Sequence, residues 1–404
     1  MVNELNKNFI VKTKSHLDYF CNNLGDRYVG SKSNQEAAKY IKDNLLESKV
    51  KIEEQRFECF DWQGKNVIFK VDDEEYEANI SPYSPNIETQ AELVTVANLE
   101  ELREVEGKDK IVLLTDELVK EQLVPKNFPF YQLEEHQEII KLLENKGFKA
   151  VIAATGKDMD TAGGLYPFPL IEDGDFKLPS IYIKDVVGEE IKNKKDKEVY
   201  LKIDTKKEPS QGKNIIATLG ANTKDKVVLF AHLDSKVDSP GAIDNATGVT
   251  TLMLLAELLK DKKLDKKIEI AILNGEDYYS NPGQRLYFLD NREKLNDIVL
   301  GINIDGMGYI KGKTAFSVYT TDEKINILAD KVFEGQYDMV RGEPWYQGEH
   351  AILVQSGIPS LAFTSELLEE IMSKVHTKED NLKIIDYQKV VDTSQALSEL
   401  IINL

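Results

Sequence analysis

The sequence has few cysteines and no long apolar run. Its two cysteines, Cys21 and Cys59, do not form a C-x-x-C pair, so we expect ordinary reduced thiols and no disulfide framework. No stretch reaches the apolar length that spans a membrane, and residues 1–7 lack the apolar core of a signal peptide. These absences predict a cytoplasmic protein with no membrane partner.

Basic residues are also scarce relative to acidic ones. The chain carries 51 lysines and arginines against 70 aspartates and glutamates, a net charge of −19. A surplus of this size argues against nucleic acid as a partner, because phosphate backbones repel an acidic surface. An acidic surface is the simplest interpretation, and attraction of a cationic amino group to an acidic cleft is the weaker functional one.

The length and composition indicate a folded protein with more than one domain. A chain of 404 residues exceeds the usual size of a single hydrophobic core. A hydrophobic content of 41% is enough for packed domains and excludes intrinsic disorder as the main state. We expect residues 1–62 and 208–404 to form one domain and residues 63–207 to form an inserted, smaller β-rich α/β domain.

The C-terminal half predicts an α/β domain with a mainly parallel, doubly wound sheet. Short apolar strands alternate there with helices, which is the pattern of buried parallel strands connected by crossover helices. Residues 246–259 are apolar on most faces and predict a buried helix. The predicted strands are residues 227–230, 268–273, 298–304 and 360–364.

The N-terminal and middle regions contain further predicted elements. Residues 33–48 read as an amphipathic helix, for which Ser33 to Glu36 form a capping-box pattern. The middle region holds short β-like runs and one clear helix–strand unit, with the helix over residues 137–146 and the strand over 148–154. None of its histidine or acidic residues forms a ligand cluster.

Ligand-type side chains follow the predicted strands of the C-terminal half. Parallel sheets gather their functional sites at the carboxyl ends of the strands. Each residue alone has an ordinary explanation, such as a helix cap, a turn acid or a surface histidine. Taken together, their types and positions indicate a hydrolytic site for two metal ions. The candidates are His232, Asp234, Asp244, Glu276, Asp277, Asp305 and His376.

Several of these positions suggest individual roles. Asp234, two residues after His232, is suited to hold the second ring nitrogen of that histidine. The carboxylate of Asp244 has two oxygens and can bridge two cations. In the adjacent pair Glu276-Asp277 one acid can bind metal while the other faces the substrate as a general base. His350 is a weaker candidate for a substrate contact.

These motifs resemble the dizinc aminopeptidases of metallopeptidase clan MH, a group that includes bacterial leucyl aminopeptidases, aminopeptidase Y and glutamate carboxypeptidase. The shared pattern is HxD, GAxDNxxG, an acidic pair, an Asp after a strand, and HTxxD. Arg27 to Ser31 is similar to the opening segment of the family, and residues 63–207 are similar to a protease-associated domain. In this sequence the pattern reads as His232 to Asp234, Gly241 to Gly248, Glu276-Asp277, Asp305 and His376 to Asp380.

The resemblance implies a phosphorylase/hydrolase-like zinc exopeptidase core with two Zn²⁺ ions, for which Co²⁺ or Mn²⁺ are alternatives because carboxylate and imidazole ligands accept several metals. The family often has Glu in place of Asp277 and Ser-Asp-His in place of residues 348–350. The implied roles are one zinc for His232 and Asp305, the other for Asp277 and His376, the bridge for Asp244, the general base for Glu276 and the orientation of His232 for Asp234.

The function expected from this resemblance is an aminopeptidase that acts on peptides with a free N-terminus. Two alternatives stay open. One is a protein of the same fold with another specificity, namely a carboxypeptidase, a deacylase or a glutaminyl cyclase. The other is a metal-free binding or receptor-type relative, whose sign would be lost ligand residues, and none of the expected ligands is missing.

Overall fold

The computed structural model of the protein describes residues 2–128, 132–155, 169–194, 198–278 and 282–404. The chain has a mixed α/β structure, which confirms the expected fold class. The strands in chain order are β1 (Lys51–Val71), β2 (Glu74–Tyr76), β3 (Asn79–Ile80), β4 (Ile87–Val96), β5 (Ile111–Leu114), β6 (Ala150–Thr155), β7 (Ser180–Lys184), β8 (Glu198–Gly220), β9 (Lys226–His232), β10 (Lys267–Leu273), β11 (Ile298–Ile304), β12 (Thr314–Tyr319), β13 (Val340–Arg341) and β14 (Ser360–Ser365).

Helices occur along the whole described chain, and two short π-helical turns, Tyr19–Leu24 and Ala242–Ala246, accompany them. The α-helices are α1 (Val2–Asp18), α2 (Lys32–Leu46), α3 (Leu99–Glu104), α4 (Glu134–Asn145), α5 (Asp185–Lys192), α6 (Thr247–Leu259), α7 (Pro282–Asn291), α8 (Glu323–Gln336), α9 (His350–Gln355), α10 (Leu368–Met372) and α11 (Tyr387–Asn403).

The chain divides into two compact units. The first contains Met1–Cys59, Ser210–Asp277 and Asn281–Leu404, and the second contains Phe60–Pro209 and Tyr278–Ser280. The boundaries expected after residues 62 and 207 lie within β1 and β8, the strands that lead into and out of the second unit. The protease-associated class expected for residues 63–207 stays a prediction.

The sheet of the first unit is mixed and mainly parallel. Its strand order is β13-β12-β14-β11-β9-β10-β8. The neighbours β14, β11, β9 and β10 pair in parallel, as do β12 and β13, whereas β12 is antiparallel to β14 and β8 is antiparallel to β10. Every residue of β9 is buried, which explains why this strand reads as a continuous apolar run instead of an alternating one.

Helix α6 packs against β9 and β10, and it forms the centre of the helical layer that includes α1 and α11. The expectation that no stretch reaches membrane-spanning length is wrong for Ala242–Leu259, which is long and apolar enough by composition, but 83% of this segment is buried inside the fold. A helix that is apolar on all faces and buried is typical of the core of a large domain. Leu252, Leu254 and Leu255 are at most 1% exposed.

The second unit has its own parallel core. Strands β4, β5, β6 and β7 pair in parallel, β3 is antiparallel to β7, and β8 is antiparallel to β4. Alternate residues of β5 enter two different apolar clusters, Val112 and Leu114 in one and Ile111 and Leu113 in the other. The sheet is therefore covered on both faces. The helix–strand unit expected in this region is present as α4 and β6.

Helix α2 begins earlier than its sequence pattern predicts. The side chain of Ser31 caps the helix by accepting a hydrogen bond of 3.0 Å from the amide of Asn34. The expected cap, Ser33, instead donates to the carbonyl of Asp26. The capping-box assignment to Ser33 is wrong because two serines precede the apolar pattern, and only the fold selects between them.

The packing of α6 predicts that Leu252→Ala lowers the free energy of unfolding by about 2–5 kcal/mol, since a fully buried leucine leaves a cavity when it is truncated. Leu289→Ala is the matched control, because that helical leucine is 51% exposed and should change stability by at most about 0.5 kcal/mol. Urea unfolding measures both changes. Equal losses in the two variants would contradict the packing described for α6.

Candidate metal centre

Three parallel strands end at the edge of the first sheet where the candidate ligands lie. β9 ends in His232, Asp305 directly follows β11, and Asp277 lies four residues beyond the end of β10. The register places Leu273, the last residue of β10, opposite His232. Since the carboxyl ends of parallel strands meet at one edge, the pairing itself brings these side chains together.

The ring of His232 is completely buried and fixed in orientation. Its Nδ1 donates a hydrogen bond of 3.1 Å to the backbone carbonyl of Asp234. This bond leaves Nε2 to face two carboxylates, 3.0 Å from Asp244 Oδ1 and 3.6 Å from Asp305 Oδ1. Within the described residues Nε2 has no partner of hydrogen-bond geometry. A cation placed between this nitrogen and the carboxylate oxygens could bind all of them.

Asp244 lies between the two histidines of the site. Its Oδ1 is 3.0 Å from His232 Nε2, and its Oδ2 is 3.1 Å from His376 Nε2. The residue stands in the π-helical turn before α6, and its peptide bond to Asn245 is cis. Each carboxylate oxygen of Asp244 thus faces a different imidazole, which is the geometry that a bridging ligand requires.

The turn that carries Asp244 is held by a second buried carboxylate. Asp380 accepts hydrogen bonds of 2.7 Å from the amide of Ile243 and 3.2 Å from the amide of Asp244. Burial raises the pKa of Asp380 to about 7, and the nearby charge of Asp244 adds to the increase. Asp380, the last residue of the HTxxD motif, therefore fixes the backbone of the bridging residue.

Among the described residues, the donor atoms form three groups of three that could hold a metal ion; one is His232, Asp234 and Asp277, and the other two share Asp244. Of the two that share Asp244, one is His232, Asp244 and Asp305, and the other is Asp244, Asp277 and His376. In the last of these groups His376 Nε2 lies 2.9 Å from Asp277 Oδ1. The atoms of each group lie within 4.8 Å of one another.

These residues fit divalent metal ions. Zinc accepts imidazole nitrogen and carboxylate oxygen at about 2 Å from the metal, so its ligand atoms lie about 3 Å from each other. The separations of 2.9–3.6 Å between the nitrogen and oxygen atoms here match that spacing. The donor set contains nitrogen and oxygen atoms alone, which also suits cobalt or manganese.

Nearby carboxylates raise the pKa of both histidines in the site. Burial by itself lowers the pKa of His376, but the carboxylates of Asp277 and Asp244 outweigh it and raise the pKa to about 10. Burial likewise opposes protonation of His232, and Asp305 and Asp244 raise its pKa well above 6.5. Without a cation, the surrounding carboxylates therefore favour the protonated form of both rings.

Asp234 contacts both His232 and the loop around Glu276. Its carboxylate accepts hydrogen bonds of 2.6 Å from the amide of Gly275 and 3.1 Å from the amide of Asp277. Its Oδ1 lies 3.8 Å from His232 Nδ1, which instead donates to the backbone oxygen of the same aspartate. Asp234 therefore holds the second ring nitrogen of His232 through its backbone carbonyl and not through its carboxylate. That carboxylate holds the loop around Glu276.

Glu276 is buried close to the ligand groups, with 9% of its surface exposed. Burial raises its pKa well above 4.5, and the negative charges of Asp305 and Glu349 raise it further. A carboxyl group in such surroundings accepts a proton more readily than an exposed glutamate does. This property suits an acid–base role.

Glu349 is the site residue that the sequence interpretation missed. It is completely buried, and neither carboxylate oxygen has a hydrogen-bond partner among the described residues. Burial raises its pKa to about 7, and the charge of Asp305 contributes to the increase. The sequence signal was an acidic residue next to His350, but the prediction named only the histidine.

His350 does not lie among the candidate ligands. Its ring is buried, Nε2 donates 2.8 Å to the carbonyl of Trp345, and Nδ1 accepts from Asn303 Nδ2 at 3.3 Å. Burial lowers the pKa of His350 to about 4, so the ring is neutral. Both nitrogens are occupied within the fold, so the expected substrate contact is not supported, and the ring instead anchors the loop before α9.

Residues 214–401 match the model of peptidase family M28. Over these residues the chain is similar to that family. The chain is 25% identical over 267 residues to aminopeptidase YwaD of Bacillus subtilis, covering 63% of this chain and 57% of that protein. It is 23% identical over 335 residues to probable leucine aminopeptidase 2 of Aspergillus oryzae, covering 78% and 63%. The chain thus spans about three fifths of the length of these curated relatives.

Solved structures share the fold over nearly the whole chain. An aminopeptidase from Aneurinibacillus sp. strain AM-1 superposes with a TM-score of 0.76 at 20% identity, covering 97% of this chain and 93% of that one. BSAP, a zinc aminopeptidase from Bacillus subtilis, gives a TM-score of 0.71 at 21% identity, with coverages of 97% and 94%. At these identities the comparison establishes the architecture.

The raised pKa values of His232 and His376 predict that metal binding releases protons. A ring nitrogen must lose its proton before it binds a cation, so we expect about one proton released per histidine at pH 7 and tighter binding as the pH rises. Calorimetric titration with Zn²⁺ in buffers of different ionisation enthalpy measures this release. A His16→Gln variant, remote from the site, should release the same number, and a buffer-independent enthalpy would contradict the prediction.

Proposed function

We propose that the protein is a metal-dependent aminopeptidase whose site holds two zinc ions. The carrying observation is the carboxylate of Asp244, which directs one oxygen at each of two histidines. A single cation would need only one of these oxygens, whereas two cations use both. The family match and the aminopeptidase names of the similar proteins support this choice of reaction.

His232, Asp244 and Asp305 would hold one ion, and Asp244, Asp277 and His376 would hold the other. When bound, two such cations supply Lewis acidity that makes a water more acidic and polarises the scissile carbonyl. Imidazole and carboxylate donors in these numbers leave coordination positions open, as catalytic zinc sites require.

Glu276 is the proposed general base. Its carboxylate takes a proton from the attacking water and later delivers that proton to the nitrogen of the leaving peptide. Asp234 keeps the loop in place by accepting the amides of Gly275 and Asp277 on either side of Glu276. These hydrogen bonds thereby hold Glu276, the proposed base, and Asp277, a proposed metal ligand, in a fixed position relative to each other.

The excess of negative charge favours a substrate with a free α-amine. Asp305 and Glu349 are acidic groups whose negative charges raise the pKa of Glu276. A protonated amine placed among them would offset their repulsion, whereas an N-blocked substrate brings no positive charge. This argument favours an aminopeptidase over a carboxypeptidase or a deacylase of the same fold.

The test of the function is a Glu276→Gln variant assayed on a leucyl anilide. Since glutamine keeps the shape but cannot accept the proton, turnover should fall by at least ~10²-fold while zinc content and unfolding temperature stay unchanged. Glu47→Gln, at an exposed position, serves as the matched control. Wild-type turnover in Glu276→Gln would remove Glu276 from the mechanism.

A substrate panel separates the alternatives of the same fold. The protein should cleave the leucyl anilide, leave its N-acetylated form intact and release no cyclised product from a peptide with N-terminal glutamine. Cleavage of the blocked substrate would indicate a deacylase or an endopeptidase. Absence of any turnover in the zinc-loaded protein would favour a binding protein.

The bridging arrangement predicts unequal effects of two matched aspartate variants on zinc affinity. Asp305→Asn should weaken one of two zinc equivalents, because that side chain belongs to one ligand group, whereas Asp244→Asn should weaken both. Removal of a ligand should cost more than the ~10–100-fold that is usual for a supporting residue. Titration against a chromophoric chelator resolves the two equivalents, with the exposed Asp265→Asn as control. A single equivalent in the wild-type protein would contradict the two-ion proposal.

A further inference from the structure

Arg27 is a buried charge that the proposed reaction does not use. The residue is 1% exposed, and no ion pair joins it to a carboxylate in the described part of the chain. A buried guanidinium without an acidic partner is costly unless its donors are satisfied in another way. Its donors end on five backbone carbonyls, those of Phe20, Gly25, Leu233, Pro240 and Gly241.

Three of these carbonyls belong to the loop between two candidate ligands. The loop runs from His232 to Asp244, and Arg27 contacts it at both ends. Arg27 Nε donates 3.2 Å to Leu233, the residue after His232, while Nη1 donates 2.7 Å to Pro240 and Nη2 donates 3.0 Å to Gly241. One planar guanidinium therefore sets the distance between the two ends of this loop.

The loop backbone is shaped to admit the guanidinium. Gly241 has a φ of +57°, and a Cβ atom at this position would lie closest to Ser235 Cβ, 2.6 Å from the carbonyl oxygen of Asp244 and 2.9 Å from Arg27 Nη2. The amide of Arg27 also donates 3.0 Å to Ser235 Oγ in the middle of the loop. Arg27 thus contacts this loop near its start, at Leu233 and Ser235, and near its end, at Pro240 and Gly241.

Asn34 extends the same N-terminal segment to the other ligand loop. Its Nδ2 donates to the carbonyl of Arg27 at 2.8 Å and to Asn274 Oδ1 at 2.9 Å. Asn274 returns a 2.9 Å hydrogen bond from its own Nδ2 to Asn34 Oδ1. Asn274 directly precedes Gly275, Glu276 and Asp277, so this amide pair fixes the start of the loop with the proposed base.

We propose that Arg27 and Asn34 are positioning residues that set the geometry of the metal centre by holding its two ligand loops in register. The proposal rests on the metal centre of the proposed function and adds residues outside the segment matched by the family, 214–401. Arg27 touches neither ligand atoms nor substrate. It acts through the backbone of the loop that separates His232 from Asp244.

The first test replaces the guanidinium. Arg27→Gln should weaken zinc binding by ~10–100-fold, the scale for residues that orient metal ligands, and Arg27→Lys should recover part of the loss because an ammonium donates to fewer carbonyls. Arg56→Gln, at an exposed arginine paired with Glu54, is the control and should bind zinc like the wild type. The readouts are chelator competition and the d–d absorption of bound Co²⁺, which reports ligand geometry.

The second test keeps the charge and displaces the loop. Gly241→Ala introduces a methyl group against Arg27, whereas Gly357→Ala has a similar positive φ of +73° and meets no atom within 4 Å. Both variants carry the same kind of backbone strain, so a difference between them reports the crowding of the loop at Ser235, Asp244 and Arg27. This pair also covers the case in which Arg27→Gln does not fold.

Specific results decide the inference. It is supported if Arg27→Gln and Gly241→Ala change the Co²⁺ spectrum and weaken zinc binding while the metal-free circular dichroism stays native. Native spectra and wild-type zinc affinity in a folded Arg27→Gln protein, or equal effects in the two glycine variants, would overturn it. Because these readouts need no peptide, a zinc-binding protein without peptidase activity would refute the proposed function and leave this inference standing.

Discussion

Mutual repulsion among buried carboxyl groups is the constraint around which the site is arranged. Asp234, Glu276, Glu349 and Asp380 are each at most 9% exposed, and burial raises the pKa of every one of them. Buried ionised carboxylates are costly unless opposite charge lies close by. Two imidazoles supply part of that charge, and divalent cations would supply the rest. The buried negative charge therefore both limits the stability of this region and favours its binding of cations.

The acidic residues divide into those that face the cation positions and those that hold backbone. Asp244 directs its oxygens at the histidines, whereas Asp234 and Asp380 direct theirs at amides of neighbouring loops. The backbone next to Asp244 and the backbone on either side of Glu276 are thus each held by a carboxylate from elsewhere in the chain. These charge-assisted amide hydrogen bonds occupy oxygens of the supporting acids.

Much of the α/β core could be predicted from sequence because its strands are continuous apolar runs, and the ligand types could be predicted because they follow those strands. The supporting contacts could not. Asp234 holds amides more than 40 positions away, and Arg27 holds carbonyls more than 200 positions away. Local patterns carry no signal for such contacts. They likewise did not show that Ser31 and not Ser33 caps α2, or that Glu349 is buried without hydrogen-bond partners among the described residues. The cytoplasmic location stays a prediction.

The long strands β1 and β8 have an evolutionary consequence. They lead the chain into the second unit and out of it again, and they are hydrogen-bonded neighbours. An insertion whose two ends are adjacent can be gained, exchanged or lost as a module, because a short hairpin turn would reconnect the same two strands. The candidate ligands all lie outside the segment between them. Descendants of one ancestral site could therefore have diverged in what surrounds it while inheriting the metal centre intact.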